Sequence, residues 1–393
     1  MARRSGVLAV GGACLVTAAV LLLLVDFGNF MDLRVYRAGG QAFADGFGLY
    51  TDEFGSRYGT GLPFTYPPVA AMLFTTLAVI PAGVAVAVLT AASLLALAAV
   101  AVLVVRRPVT LAAAAFAFGV VLEPVRLTLS FGQVNLVLMA LVVADCLLPR
   151  TWWPRGTLIG LAAAVKLTPF AFLLYFAAHR RWRPVLTAVG AFTAVSLLAW
   201  ALAPADTPAY LSTVLGDPTR IGGLTYAGNQ SLNGFWHRLG LGASLTTALW
   251  LGSALVVAAL GWVAVRRARV AGDDLGALLA AAVAGLLASP VSWSHHWVWA
   301  VLAGVWLVPR LRGWRVPGRI AAVAGLLVFV APPHWVLPNR YDRELDWSWW
   351  QHVVGNEFTW SGLALLIVLA TPSAARWSRR RTPAAVPAPE PRS

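Results

Sequence analysis

Residues 155–183 read RGTLIGLAAAVKLTPFAFLLYFAAHRRWR, and the fold turns on how often this stretch crosses a membrane. Its middle is apolar and long enough for one crossing, since a hydrocarbon core of about 30 Å takes roughly 20 helical residues. Arginines nevertheless stand at both ends, and arginine marks the cytoplasmic side of membrane helices. A single crossing would strand one cluster outside. A re-entrant hairpin turning near KLTP keeps both inside, because Pro169 lacks a backbone donor and ends a helix there. Lys166 would then lie deep in the membrane at the hairpin tip.

The surrounding chain sets that context. It has 393 residues, 59% hydrophobic and 12% charged, a balance that excludes an ordinary soluble domain. Apolar runs predict spans at 6–25, 83–105, 108–122, 133–148, 184–203, 244–265, 275–289, 296–309, 319–332 and 358–372. The fold class is therefore an all-α polytopic membrane protein, about ten full spans plus the hairpin. A span at 6–25 following Arg3 and Arg4 reads as an uncleaved anchor. With that span running outward and the rest alternating, 21 of the 29 arginines fall in the cytoplasm. Both termini are then cytoplasmic. Residues 1–375 form one transmembrane domain, and 376–393 a basic, proline-rich tail without a packed core. The net charge of +14 comes from short clusters between spans and forms no continuous basic face, which argues against nucleic acid. Cys14 and Cys146 lie inside apolar runs at no metal or redox spacing. In TYPPVAAMLFTTLAVIP (65–81) the residues after the prolines are too few for a comfortable span, and they predict a helix at the outer interface.

The irregular segments 26–82, 123–132, 204–243, 290–295 and 333–357 all come out on the external side, and each carries polar side chains. Asp32, Arg34 and Tyr36 follow the first span. EPVRLTLSFGQVN supplies Arg126, Gln133 and Asn135, and GNQSLNGFWHR supplies Asn229, Gln230, Asn233 and Arg238. SPVSWSHHW supplies His295 and His296. Singly, each cluster reads as an interfacial or loop feature. With PNRYDRELDWSWW (338–350), five on one face of an apolar bundle point to a site, because ionisable groups at membrane depth are costly and tend to mark function. Adjacent histidines point different ways from a helix and lack a third ligand at a recognisable spacing, so no metal site is expected. Lys166 is the one lysine beside 29 arginines, which suggests a site that takes a compact ammonium, near a phosphate or carboxylate.

In order along the chain, DLRVYRAG, Leu49-Tyr50, FTYPP, FGQVNLVLMAL, AAVKLTPF, NQSLNGFWHR and SPVSWSHH resemble the polyprenyl-phosphate-mannose-dependent mannosyltransferases of glycosyltransferase family 87, which have a GT-C fold. The resemblance covers nearly the whole chain. It implies a membrane enzyme that moves mannose from a polyprenyl-phosphate donor to a lipid-linked or glycan acceptor, usually in an α-1,2 linkage, on the outer face of the cytoplasmic membrane. GT-C enzymes place an acidic residue in the first external loop, and Asp32 matches that position as the base. His295, His296, Arg238, Arg126 and Lys166 are then candidates for the donor phosphate. Arg34, Tyr36, Tyr66, Gln133, Asn135, Asn229, Gln230 and Asn233 are candidates for sugar or acceptor. No cofactor is implied, because the lipid-phosphate sugar is itself a substrate, and the first loop lacks the paired acids of a metal-dependent relative. A polyprenyl-phosphate-arabinose-dependent arabinofuranosyltransferase would share this architecture. A glycolipid flippase would also suit intramembrane charge and a hairpin, although no internal repeat of the transporter kind is seen.

Overall fold

The computed structural model describes residues 30–105 and 108–371. The expected span at 6–25, Arg106, Arg107 and the tail lie outside the described residues. Within them the chain is helical, and the one β-contact is an isolated bridge between Asn229 and Trp293. The principal helices are α1 (Met31–Asp45), α2 (Pro68–Ala78), α3 (Ala82–Val105), α4 (Val109–Val121), α5 (Glu123–Phe131), α6 (Asn135–Leu147) and α7 (Thr157–Val165). They continue as α8 (Trp182–Leu202), α9 (Ala243–Val270), α10 (Asp274–Ala288), α11 (Ala300–Leu307), α12 (Val316–Leu327) and α13 (Glu357–Ala370).

Every expected span that falls on described residues overlaps helix, although 319–332 is helical only to Leu327, and among the described residues only α3, α8 and α9 are long and apolar enough to cross a membrane alone. Alanine, leucine and valine fill these three, and their outward faces stay exposed, as a lipid-facing helix requires. Others are shorter for identifiable reasons. α4 and α5 are one apolar run broken at an extended Leu122 and bent by 69°. Pro124 sits at the start of α5 without an N–H to continue the helical ladder. α10 is only 15 residues, yet it is buried from Gly276 to Leu287 except at Gly285. A helix apolar all round belongs at the centre of a bundle, and the largest apolar cluster surrounds it with side chains of α6, α9, α11 and α13.

The stretch 155–183 folds back on itself. α7 stops at Lys166, whose backbone is extended, and the chain resumes as a 3₁₀ turn, Thr168–Phe172, and a short helix, Leu173–Ala177. α8 then runs parallel to α7. A methyl group on Gly156 would lie 1.9 Å from the Pro184 carbonyl oxygen, and one on Gly160 would lie 2.3 Å from that of Ala188. Only glycine permits that approach, and Gly156 also has φ 100°. Two parallel helices starting side by side require the residues between them to return, so Arg155 and Arg181 share one end while Lys166 stands at the other.

The remaining polar contacts sort the same way. At the arginine end Arg155 donates to the carbonyls of Asp145 and Leu148, closing the C-terminus of α6. There too Arg269 meets Tyr175 and Asp274, and Arg310 pairs with Asp273 at 2.9 Å. At the opposite end the irregular segments bond to one another. The Phe30 amide donates to Ser130 O, Leu49 to Asp206, and Gln230 to the Gly355 carbonyl. Glu123 accepts from both Ser294 and Trp335 at 2.8 Å. α1 is amphipathic rather than apolar, and α2 packs along it.

Candidate active site

The polar end holds a cavity of about 850 Å³ whose wall includes Asp32, Tyr66, Gln133, Lys166, His295 and His296. Asp32 lies in the first turn of α1, where the unpaired amides of a helix start favour negative charge. Gln133 reaches it from the turn between α5 and α6, where Gly132 adopts φ 67°. The Gln133 amide is fixed in turn: Tyr36 Oη donates to its Oε1 at 2.6 Å, and its Nε2 donates to Tyr66 Oη at 3.0 Å. Gln133 also hydrogen-bonds the Asp32 side chain. The residue as a whole is half-buried, but Asp32 Oδ2 is sealed from solvent and has no protein partner. Burial pushes the Asp32 carboxyl up to about 6, against the opposing pull of Gln133 and the Lys166 charge. Asp32 thus presents to the cavity a carboxyl whose Oδ2 no protein group engages.

In the same cavity, Lys166 Nζ donates to Asn135 Oδ1 at 3.0 Å and lies 3.1 Å from His296 Nε2. An ammonium has only donors, so His296 Nε2 accepts and the ring carries its proton on Nδ1. That Nδ1 is buried without a protein partner, as is Nε2 of His295. Asn135 links Lys166 to the histidine segment, because its Nδ2 donates to the His295 carbonyl at 2.9 Å while Thr128 Oγ1 donates to the same oxygen at 3.1 Å. The result is one cavity lined by a carboxylate, an ammonium and two imidazoles that each keep a ring nitrogen without a protein partner. Such a lining can take a proton from a neutral nucleophile and receive an anion.

Other candidates stand elsewhere. Arg238 is wholly buried and donates to the carbonyls of Tyr226 and Asn229, each at 3.0 Å, and to the Asn356 side chain. Asn229 takes the Ser292 amide at 3.0 Å, Gln230 bonds the Ala227 and Gly355 carbonyls at 2.8 Å, and Asn233 bonds the Pro290 carbonyl at 3.1 Å. These residues knit the loop before α9 to the start of the His295 segment, and none lines the cavity. Arg126 donates to the Val330 carbonyl at 2.6 Å, Arg34 is exposed on α1, and Tyr36 and Asn135 stand behind the wall they support. A polar side chain in an external loop reads identically in sequence whether it holds a ligand or another loop. Arg238→Met would leave several buried acceptors without a donor, and we expect it to cost about 3 kcal/mol or more. That loss would appear as a lower Tm in detergent, with the donor KM of the folded fraction unchanged; a raised donor KM at wild-type Tm would assign Arg238 to the phosphate instead.

Residues 64–292 match the model of glycosyltransferase family 87, more than half of the chain. The chain belongs to that family. A relative from Mycobacterium tuberculosis, the polyprenol-phosphate-mannose-dependent alpha-(1-2)-phosphatidylinositol mannoside mannosyltransferase, is 38% identical over 90% of this chain and 87% of its own. The protein of the same name from Mycolicibacterium smegmatis is 39% identical over 88% and 84%. A polyprenol-phosphate-mannose-dependent alpha-(1-2)-phosphatidylinositol pentamannoside mannosyltransferase of the latter organism is 34% identical over 91% and 88%. No solved structure gives a significant match.

Sequence reasoning passed over Arg220 in this family 87 chain. It lines the cavity and is held by the Tyr50 carbonyl at 3.1 Å and by Asp52 at 3.6 Å. Its sequence signal was an external arginine, in a topology where arginine is otherwise concentrated inside. Glu123, at the head of EPVRLTLSFGQVN, has its partners Ser294 and Trp335 at 171 and 212 residues away in the chain, a separation that local pattern does not bridge.

Proposed function

We propose that this chain is an inverting mannosyltransferase that moves mannose from polyprenyl-phosphate mannose to a phosphatidylinositol mannoside, forming an α-1,2 linkage at the outer face of the cytoplasmic membrane. The observation that carries the mechanism is the convergence of Asp32 with Lys166, His295 and His296 on one cavity. The names of relatives at 38% and 39% identity supply donor, acceptor and linkage. Membrane placement follows from the apolar helices and the segregation of arginines from polar loops. In this reading the bundle is GT-C-like, with about ten spans, a re-entrant hairpin at 155–183, both termini cytoplasmic and the cavity extracytoplasmic.

In the proposed reaction the acceptor hydroxyl gives its proton to the Asp32 carboxylate as its oxygen bonds to the anomeric carbon. The bond from that carbon to the phosphate oxygen breaks on the opposite face, and its electron pair leaves with the lipid phosphate. One displacement inverts the centre, so no covalent intermediate is needed. The leaving phosphate gains a negative charge as it departs. Lys166 and the unpartnered ring nitrogens of His295 and His296 are the groups that would stabilise it, at fixed positions that need no reorganisation. Gln133 hydrogen-bonds the carboxylate and so fixes its orientation. The prenyl chain would lie against the apolar outer faces of the helices, within the lipid.

The test is transfer by purified protein from labelled polyprenyl-phosphate mannose or polyprenyl-phosphate arabinose to phosphatidylinositol mannoside, with and without EDTA. We expect mannose transfer that survives chelation, since Lys166 and the histidine rings would hold the phosphate. Transfer only from the arabinose donor would overturn the sugar assignment, and an absolute requirement for added magnesium or manganese would overturn the metal-free mechanism.

A further inference from the structure

A second concavity, of about 510 Å³, opens beside the first on the segment that joins α1 to α2. Leu62, Pro63 and Arg220 line both spaces, so the two share a wall. Three residues beyond Pro63, Tyr66 enters the network that holds Gln133. A chain of sugar rings whose reacting end lies at Asp32 can therefore continue past this wall into the outer cleft.

We propose that the outer cleft is a saccharide subsite, holding the sugars of the acceptor that lie beyond the one bearing the reacting hydroxyl. This rests on the mannosyltransferase reading above. The lining has the chemistry of polyol recognition. The Asp52 side chain is fully exposed and offers two acceptor oxygens to neighbouring hydroxyls. Arg220 offers planar donors, held in place by the Tyr50 carbonyl. Ser56 Oγ donates to the Glu53 carbonyl at 2.9 Å, which leaves its lone pairs to accept, and Thr51 adds a second hydroxyl. Leu62 and Pro63 give an apolar surface for the C–H face of a ring.

Other ligand classes fit less well. A phosphate would meet the Asp52 carboxylate and a single arginine already paired with it. A lipid tail would meet the Asp52 and Arg220 charges and the Thr51 and Ser56 hydroxyls. The volume lies within the roughly 300–1,000 Å³ of small-molecule sites.

The experiment compares octyl mannoside with octyl mannotrioside as acceptors, using polyprenyl-phosphate mannose as donor, for the wild type, Asp52→Ala and Thr51→Trp. The wild type should use the trioside with the higher kcat/KM. In each variant the trioside-to-monoside ratio of kcat/KM should fall about tenfold, through KM of the trioside. Equal use of both acceptors by the wild type, or an unchanged ratio in folded variants that share the wild-type Tm, would overturn the subsite while leaving the mannosyltransferase reading intact. A wild-type protein that transfers mannose to neither octyl glycoside nor to phosphatidylinositol mannoside would remove the proposed function, and the subsite with it.

Discussion

Asp32→Asn lowers kcat/KM for mannose transfer by about 10²–10⁴-fold, the usual contribution of a positioned general base, and leaves donor binding in place. The amide fills the same volume and can still meet Gln133, but it cannot take the acceptor proton. The wild-type pH profile carries the same signature. With Asp32 pushed up to about 6 by burial, kcat/KM falls as pH drops below that value, because protonation removes the base. Stability moves in the opposite direction. Between the usual carboxylate value and about 6, the folded protein holds a proton that the unfolded chain releases, so stability declines as pH rises through that window. Asp32→Asn should accordingly raise Tm at neutral pH, as expected where a site is kept for chemistry rather than for stability. Full activity in the variant, or an acid limb far from pH 6, would remove Asp32 as the base.

Lys166→Met should lower kcat by roughly 10²–10³-fold, the scale seen when one donor to a developing anion is removed. Lys166→Arg should recover only part of that. The site is built for a point charge between Asn135 Oδ1 and His296 Nε2, with the Tyr66 ring 5.6 Å away, and a planar fork does not fit the same partners. A second readout separates this role from mere packing. The Lys166 charge holds the Asp32 carboxyl down, so Lys166→Met should move the acid limb of kcat/KM to higher pH. Methionine at 166 with wild-type kcat and an unmoved limb would show that Lys166 serves neither phosphate nor base.

Much of this arrangement could be read before any coordinates. The apolar runs marked the helices, because a hydrocarbon solvent dictates their composition, and the arginines at both ends of 155–183 implied the fold-back that Gly156 and Gly160 accommodate. Asp32, His295 and His296 were legible because charge beside an apolar run is expensive. Span lengths were less so: α4 reads as a crossing in hydropathy, yet the break at Leu122 turns its continuation by 69°. The division of labour among polar residues was the least legible. Asn229, Gln230 and Arg238 have the composition of a binding loop, and only their carbonyl partners reveal a brace. Asn135 looked like a sugar ligand and instead holds Lys166 and the His295 backbone together.

The most direct test of the central claim is a structure of the protein with a carbon-linked phosphonate analogue of polyprenyl-phosphate mannose. The mechanism predicts the phosphonate against Lys166, His295 and His296, with the anomeric carbon facing Asp32 across a gap that admits an acceptor oxygen at about 3–3.5 Å from that carbon. A phosphonate seated at Arg238 or Arg126, or an anomeric carbon turned away from Asp32, would contradict it.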